Sequence, residues 1–167
     1  HELIRISLQN WYLIDAIDID VVGATALIGP TGAGKTSIQD AIQTAITGNN
    51  SRRVNLNASA SGRSERSVRD YCLGYTADPD EGGTPLRDSC ESVIALTFRD
   101  EETGEPISIG VALSARREDS REETLSRFIA PGYAYSVRDF ARQDDQGRYL
   151  LPWAEAVREL RRLSPAL

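Results

Sequence analysis

The segment that most limits what this chain can fold into is GPTGAGKT, Gly29 to Thr36. It satisfies GxxxxGK followed by Ser or Thr, the phosphate-binding or Walker A pattern, and each fixed position has a mechanical reason. Glycines let the backbone close around an anion so that successive N–H groups point inward. A helix starting at the loop adds its own free N–H groups and the positive end of its dipole. Lys35 places a compact ammonium between β- and γ-phosphates, and the Thr36 hydroxyl is the expected Mg²⁺ ligand. Lys35 is the single lysine among nineteen basic residues, the others all being arginine. A planar guanidinium does not fit the space that an ammonium fills at this position, which accounts for the exception. The expected binding set is Gly29, Pro30, Thr31, Gly32, Ala33, Gly34, Lys35, Thr36 and Ser37, with Thr36 on the metal.

The flanks of the loop fit the pattern. Ala24 to Ile28 is a short, continuous apolar run of the kind buried on both faces of a parallel sheet. After Lys35, Ile38, Ala41, Ile42, Ala45 and Ile46 recur at helical spacing, and Gly48 with Asn49-Asn50 marks the stop. Ahead of the loop, Leu3 to Gln9 alternates as a strand with one buried face. Ile17, Ile19 and Val21 against Asp18 and Asp20 predict a second strand with a wet, acidic face.

Downstream, Asn50 to Gly62 is a Ser, Asn and Ala-rich loop. Ser64 or Ser67 is positioned to cap a short helix through Leu73 that ends at Gly74. SVIALTF, ISIGVAL and TLSRFIA are three β-rich runs, the first two joined by the turn RDEETGEP, and they predict an antiparallel meander. Ser136 to Ala141 reads as a helical turn. Pro152-Trp153 opens an amphipathic helix with Ala156, Val157, Leu160 and Leu163 on one side.

A length of 167 residues suffices for one domain with a core, and a net charge of −6 argues against indiscriminate coating of nucleic acid. A local basic stretch exists: Arg52, Arg53, Arg63, Arg66 and Arg69 stand against the single acid Glu65 between Asn50 and Asp70. Phosphate contact and a solvated arginine-rich loop are both open readings of it. Cys72 and Cys90 are expected to be reduced and structural, and no run of eighteen apolar residues exists to span a membrane. The chain lacks methionine even at position 1, which suggests a piece of something longer.

The hairpin LIRISLQNWYLIDAIDIDV followed by ALIGPTGAGKTSIQDAIQTAITG resembles the amino-terminal half of the ATPase head of SMC-like proteins, which are ABC-type ATPases. The Asn10-Trp11 step and the Asp40-Ala41 pair carry that resemblance. TGNNSRRVNLNASA and RSVRDYCLG look most like the SMC-like subunit of the Wadjet plasmid-defence system and its MukB-like relatives. The resemblance implies an α/β P-loop NTPase fold, a RecA-like core with the antiparallel β-subdomain of ABC ATPases, in which residues 1–167 are the N-terminal half of an incomplete head.

It further implies binding of ATP and Mg²⁺, with Arg52 and Arg53 beside the nucleotide, in a cytoplasmic coiled-coil protein. The implied partners are the C-terminal half of the same head, a second SMC-like subunit, kleisin-type and accessory subunits, and DNA. Hydrolysis on head engagement would drive loop extrusion or condensation, in plasmid defence.

No LSGG-type signature segment appears. The acids Asp100, Glu101 and Glu102 follow an apolar run but read as a hairpin turn rather than a Walker B. Gln143 and Gln146 are candidates for the glutamine that reaches the metal in ABC ATPases, but FIAPGYAYSVRDF resembles the family segment ahead of that loop, and the resemblance implies a glutamine beyond Leu167. The catalytic base is therefore expected outside this chain, and the chain alone is expected to be largely inactive. Two other classes remain open, a stand-alone P-loop NTPase or kinase and a DNA-binding or scaffold module without enzymatic activity. A GTPase that reads guanine through Asn-Lys-x-Asp is excluded by the single lysine.

Overall fold

The structure, a computed structural model, describes residues 1–50, 52–53, 56, 66–77 and 82–165. Five antiparallel strands form its main sheet: β1 (Glu2–Trp11), β2 (Ile14–Asp20), β3 (Ser89–Arg99), β4 (Pro106–Arg116) and β5 (Glu123–Pro131), in the order β2-β1-β3-β4-β5. The first hairpin turns through Tyr12 and Leu13 and pairs Trp11 with Ile14, Leu8 with Ile17 and Ser7 with Asp18. β3, β4 and β5 are the predicted meander, joined by short turns. In the turn after β3, Asp100 Oδ1 accepts from the backbone N–H groups of Glu102 (3.0 Å) and Thr103 (2.8 Å). The bonds from Thr103 hold the Asp100 carboxyl below its ordinary range.

Helices cover both faces of this sheet. On one face lie α1 (Lys35–Thr47) and α2 (Val68–Leu73), packed on Ile6, Leu8, Ile94, Leu96, Val111 and Leu113. The opposite face carries a 3-10 turn (Val137–Phe140), the small hairpin of β6 (Ala141–Asp144) and β7 (Gly147–Leu150), and α3 (Trp153–Leu163). There Phe128, Tyr135, Phe140, Trp153 and Leu160 pack against Val93, Ala95 and Ala112. Alternate residues of β3 thus enter different cores, and its run from Val93 to Leu96 is fully apolar because neither face meets water. Gly110 of β4 belongs to this packing. A Cβ there would lie 2.6 Å from the Ile94 carbonyl oxygen and 2.7 Å from Phe128 Cε1, so only glycine lets the ring cross the strand.

Local signals set the element ends. α2 begins with a reciprocal capping box between Ser67 and Asp70 and ends at Gly74 in the left-handed conformation (φ 75°). α1 ends at Gly48 (φ 61°), whose carbonyl accepts from Arg127 Nε at 2.6 Å. α3 opens after Pro152, as expected, and buries Trp153, Ala156 and Leu160.

Four expectations need correction. Ala24 to Ile28 is not a strand, and no parallel pairing occurs among the described residues; the segment is exposed, Ile28 to 92 %. A parallel strand needs hydrogen-bonded neighbours beside it, and every neighbouring pair in both the five-stranded sheet and the small hairpin is antiparallel. The fold is therefore mixed α/β with an antiparallel sheet, and a RecA-like core is not formed by the described residues. Second, the acidic face of β2 is only partly wet: Asp20 is exposed, but Asp18 is half-buried beside the buried Ser7. Asp18 on β2 accordingly accepts from Ser7 Oγ (2.6 Å), Ser136 Oγ (2.7 Å) and the Val137 N–H (3.1 Å). Third, α1 packs Ile38, Ala41, Ile42 and Ala45 as expected but leaves Ile46 60 % exposed, and the polar Ser37, Asp40 and Thr44 are buried beside them. Fourth, β6 and β7 were not foreseen as strands, and Gln143 and Gln146 lie in that exposed hairpin.

Candidate nucleotide site

The loop from Gly29 to Gly34 takes the shape that its glycines allow. Gly32 and Gly34 both adopt positive φ, 86° and 85°, and Ala33 N–H donates to the Pro30 carbonyl at 3.2 Å. Gly29 has a different reason, since a Cβ there would come within 3.2 Å of Ala33 Cβ and crowd the turn.

Gly34 is the N-cap of α1 and provides no side-chain acceptor, and no acid stands in the first turn. The opening N–H groups of a thirteen-residue helix are consequently uncapped by protein at the loop, the arrangement that accepts an anion. Lys35 folds back over the loop and donates from Nζ to the carbonyls of Gly29 (2.6 Å) and Pro30 (2.8 Å). An ammonium has three donors, so it can straddle the loop and still turn one N–H to a ligand. Thr36, half-buried, sits beside it in the first turn, whereas Pro30, Thr31, Gly32 and Ala33 are exposed. This donor set fits a polyphosphate: backbone N–H groups, one ammonium and one hydroxyl, with no carboxylate in the helix's first turn to repel it.

The helix that carries the loop is fixed from below by groups that the motif does not include. Trp11, fully buried on β1, donates from Nε1 to the Ser37 carbonyl at 2.7 Å. Trp11 stacks on Tyr71 of α2 with ring centroids 4.9 Å apart, and Tyr71 donates its hydroxyl to the buried Asp40 at 2.5 Å. Burial first, and then the Asp40 carboxylate, push the Tyr71 phenol well above its ordinary range. Ser37, expected at the phosphate, is buried, and its carbonyl is held at this anchor. Sequence reasoning missed the roles of Trp11 and Tyr71; Asp40, an acid within the buried stripe of α1, was the available clue.

Arg52 and Arg53 are exposed and follow the C-terminal end of α1, the end opposite the loop. Their backbone N–H groups bond Asn50, at 3.1 Å to Oδ1 and 2.8 Å to the carbonyl. Arg63 lies outside the described residues. Arg66 and Arg69 are committed to the fold. The first lies 4.9 Å from the Tyr12 ring centroid and donates to the Thr76 carbonyl at 3.0 Å, and the second donates to the Arg117 carbonyl at 2.6 Å. The basic stretch is thus split between structural and exposed members. Cys72 and Cys90 are free thiols, as expected; burial raises both, and Cys90 Sγ donates to the Cys72 carbonyl at 3.1 Å.

Residues 3–63 match the family described as the P-loop containing region of AAA domain. The match covers the first hairpin, the loop and α1, the parts that the geometry above joins into one unit. It supports a P-loop NTPase, a class whose domains bind nucleotide together with Mg²⁺. Comparison of the chain with curated proteins gives no match. Among the described residues no helix is long and apolar enough to cross a membrane.

Proposed function

We propose that this chain is the ATP-binding, N-terminal half of an SMC-like ABC-type ATPase head. The observation that carries the reading is the pairing of a built phosphate loop with an uncovered apolar segment directly before it. In a P-loop fold that segment is a central strand. Here Val22 is 83 % and Ile28 92 % exposed, which favours a further part of the head that supplies the strands beside them. The C-terminal half of the same head is the occupant this reading assigns to the segment.

The backbone N–H groups from Gly32 to Thr36 hold phosphates, with Gly29, Pro30, Thr31 and Ala33 shaping the loop. Lys35 exchanges a loop carbonyl for the β- and γ-phosphate oxygens, and Thr36 holds Mg²⁺. When bound, the nucleotide supplies the anhydride whose cleavage does work. This chain orients it and neutralises its charge, and the base that activates water comes from elsewhere in the assembly. Arg52 and Arg53, exposed beyond α1, are left for phosphates of nucleotide or DNA. In the assembled protein, two such heads close on ATP and act on DNA with kleisin-type and accessory subunits, in loop extrusion or condensation serving plasmid defence.

Titration with a fluorescent ATP analogue in the presence of Mg²⁺ tests the core of this reading. Wild type should bind, Lys35→Ala should weaken binding tenfold or more, and neither should turn over ATP at more than a trace rate. Equal affinity in the two proteins would remove Lys35 from the site. Rapid Lys35-dependent hydrolysis by the chain alone would instead favour a self-sufficient P-loop enzyme.

A further inference from the structure

We infer that the groove between the β2 end of the main sheet and the β6–β7 hairpin binds an acidic, extended peptide segment of a partner protein. The groove has a volume of about 930 Å³ and lies on the face opposite α1, away from the phosphate loop. Its walls come from four strands of the main sheet and from the hairpin, so a shallow edge is roofed into a channel.

The charges in this groove are unequal in what they still have to offer. Its three acids are already engaged. Asp15 is paired with Arg87 at 2.6 Å, Asp18 accepts from Ser7, Ser136 and the Val137 N–H, and Glu91 accepts the Trp153 N–H at the start of α3 at 2.5 Å. Its three arginines, Arg116, Arg138 and Arg148, are exposed and have no carboxylate partner among the described residues. In a chain of net charge −6 this is a local reserve of unpaired guanidinium groups, which recognise carboxylates in bidentate fashion.

Two further features select a peptide over a nucleic acid. The lining mixes polar groups, Gln9 and Ser114 among them, with an apolar strip of Val137, Leu150, Leu151 and Pro152, and Tyr149 is left 45 % exposed. A nucleic acid could set a base on Tyr149 but brings little to the aliphatic Val137, Leu151 and Pro152, whereas an acidic peptide with interspersed apolar residues meets both. In addition, β2 is the edge of the five-stranded sheet, and four of its consecutive residues, Asp15 to Asp18, line the groove. An edge strand offers unpaired N–H and C=O groups to an added strand, whose side chains then alternate between the two sides. Acids facing Arg116, Arg138 and Arg148 and apolar side chains over Val137 and Leu151 satisfy both.

The test is selection of an unbiased dodecapeptide display library on the full chain, in parallel with Arg116→Ser/Arg138→Ser/Arg148→Ser. The wild type should enrich sequences with at least three acids among apolar residues, and the triple variant should not. A selected peptide, titrated by fluorescence anisotropy, should lose tenfold or more in affinity to the triple variant and weaken with salt. It should bind Lys35→Ala as it binds wild type, which separates this groove from the nucleotide site. Should the triple variant melt early, Arg148→Glu alone on the exposed hairpin serves, with a loss of at least threefold expected. Absence of acidic enrichment, or undiminished binding by the arginine variants, would overturn the inference. So would a single-stranded oligonucleotide that displaces the peptide and itself depends on these arginines, since the groove would then be a nucleic-acid site.

Discussion

Two short apolar runs, Ala24 to Ile28 and Val93 to Phe98, look alike in the sequence and have opposite fates. The second is the middle of β3, with Val93 to Leu96 at most 2 % exposed. The first has no strand geometry and leaves Leu27 37 % and Ile28 92 % exposed. Composition does not separate them. What differs is cover: β3 has a strand on each side and a helical layer on each face, whereas the run before the phosphate loop has none of these from the described residues. An apolar run specifies a need for partners, and the partners decide whether it becomes a strand.

Truncating one residue in each run measures that difference directly. Leu96→Ala should destabilise the chain by about 2–5 kcal/mol, because the cavity opens in a core where Leu96 is fully buried. Ile28→Ala should change stability by no more than about 0.5 kcal/mol, as for an exposed site. Urea denaturation of both variants decides it. A cost for Ile28→Ala that approaches that of Leu96→Ala would mean that the segment is packed after all. If the proposed C-terminal half of a head covers this segment, co-expression with it should raise the cost of the Ile28 change and leave that of Leu96 in place.

The cover on the α1 face can be probed at Tyr71. Tyr71→Phe keeps the ring on Trp11 but removes the hydroxyl that reaches Asp40, and should cost about 1–3 kcal/mol. The pH dependence follows from the same group. Its folded pKa is raised above the usual value near 10, so the stabilisation is complete below about pH 10 and is lost as the pH rises through the folded value. Tyr133 and Tyr135 are raised likewise, both by burial first, then by Asp139 at Tyr133 and by Tyr133 at Tyr135, and add to the loss. The melting temperature of wild type should therefore hold to about pH 10 and drop beyond it. Tyr71→Phe should start lower and drop less steeply. An unchanged alkaline slope in that variant would show that Tyr71 does not contribute to it.

How much of this was legible depends on how local each determinant is. The meander, the Ser67 cap with Gly74, the helix after Pro152 and the loop-to-helix step at Gly34 are written in neighbouring residues, and all are found. Asp18 was read as solvated because its donors Ser136 and Val137 lie far along the chain, and Ile17, read as the buried neighbour, is 41 % exposed. The stripe of α1 is wider than its apolar positions for a related reason: Asp40 and Thr44 are polar yet buried, and the Tyr71 hydroxyl donates to Asp40. The β6–β7 hairpin did carry a signal, the turn residues Asp144 to Gly147 between short polar strands, but its strands lack the apolar alternation that marks the others. Phosphate-loop residues were legible because their chemistry depends on backbone shape at consecutive positions. The anchor beneath them was not, because it joins three separate elements.

The smallest effect expected concerns the opposite face, and it turns on one hydroxyl. Tyr135 is 1 % exposed, stacked 4.8 Å from Phe140 and 5.8 Å from Phe128, and its OH has no hydrogen-bond partner among the described residues. Tyr71 and Tyr135 are thus equally buried rings on the two faces of one sheet, the first with its hydroxyl partnered and the second without. A buried hydroxyl without a partner keeps its desolvation cost and returns nothing for it. Tyr135→Phe should leave stability within about 0.5 kcal/mol of wild type or raise it slightly, in contrast to Tyr71→Phe. Denaturation of the two single variants side by side makes the comparison. A loss for Tyr135→Phe as large as that for Tyr71→Phe would mean that its hydroxyl has a partner in solution. The cover on the α3 face would then be held by a polar contact, as the α1 face is, rather than by ring packing alone.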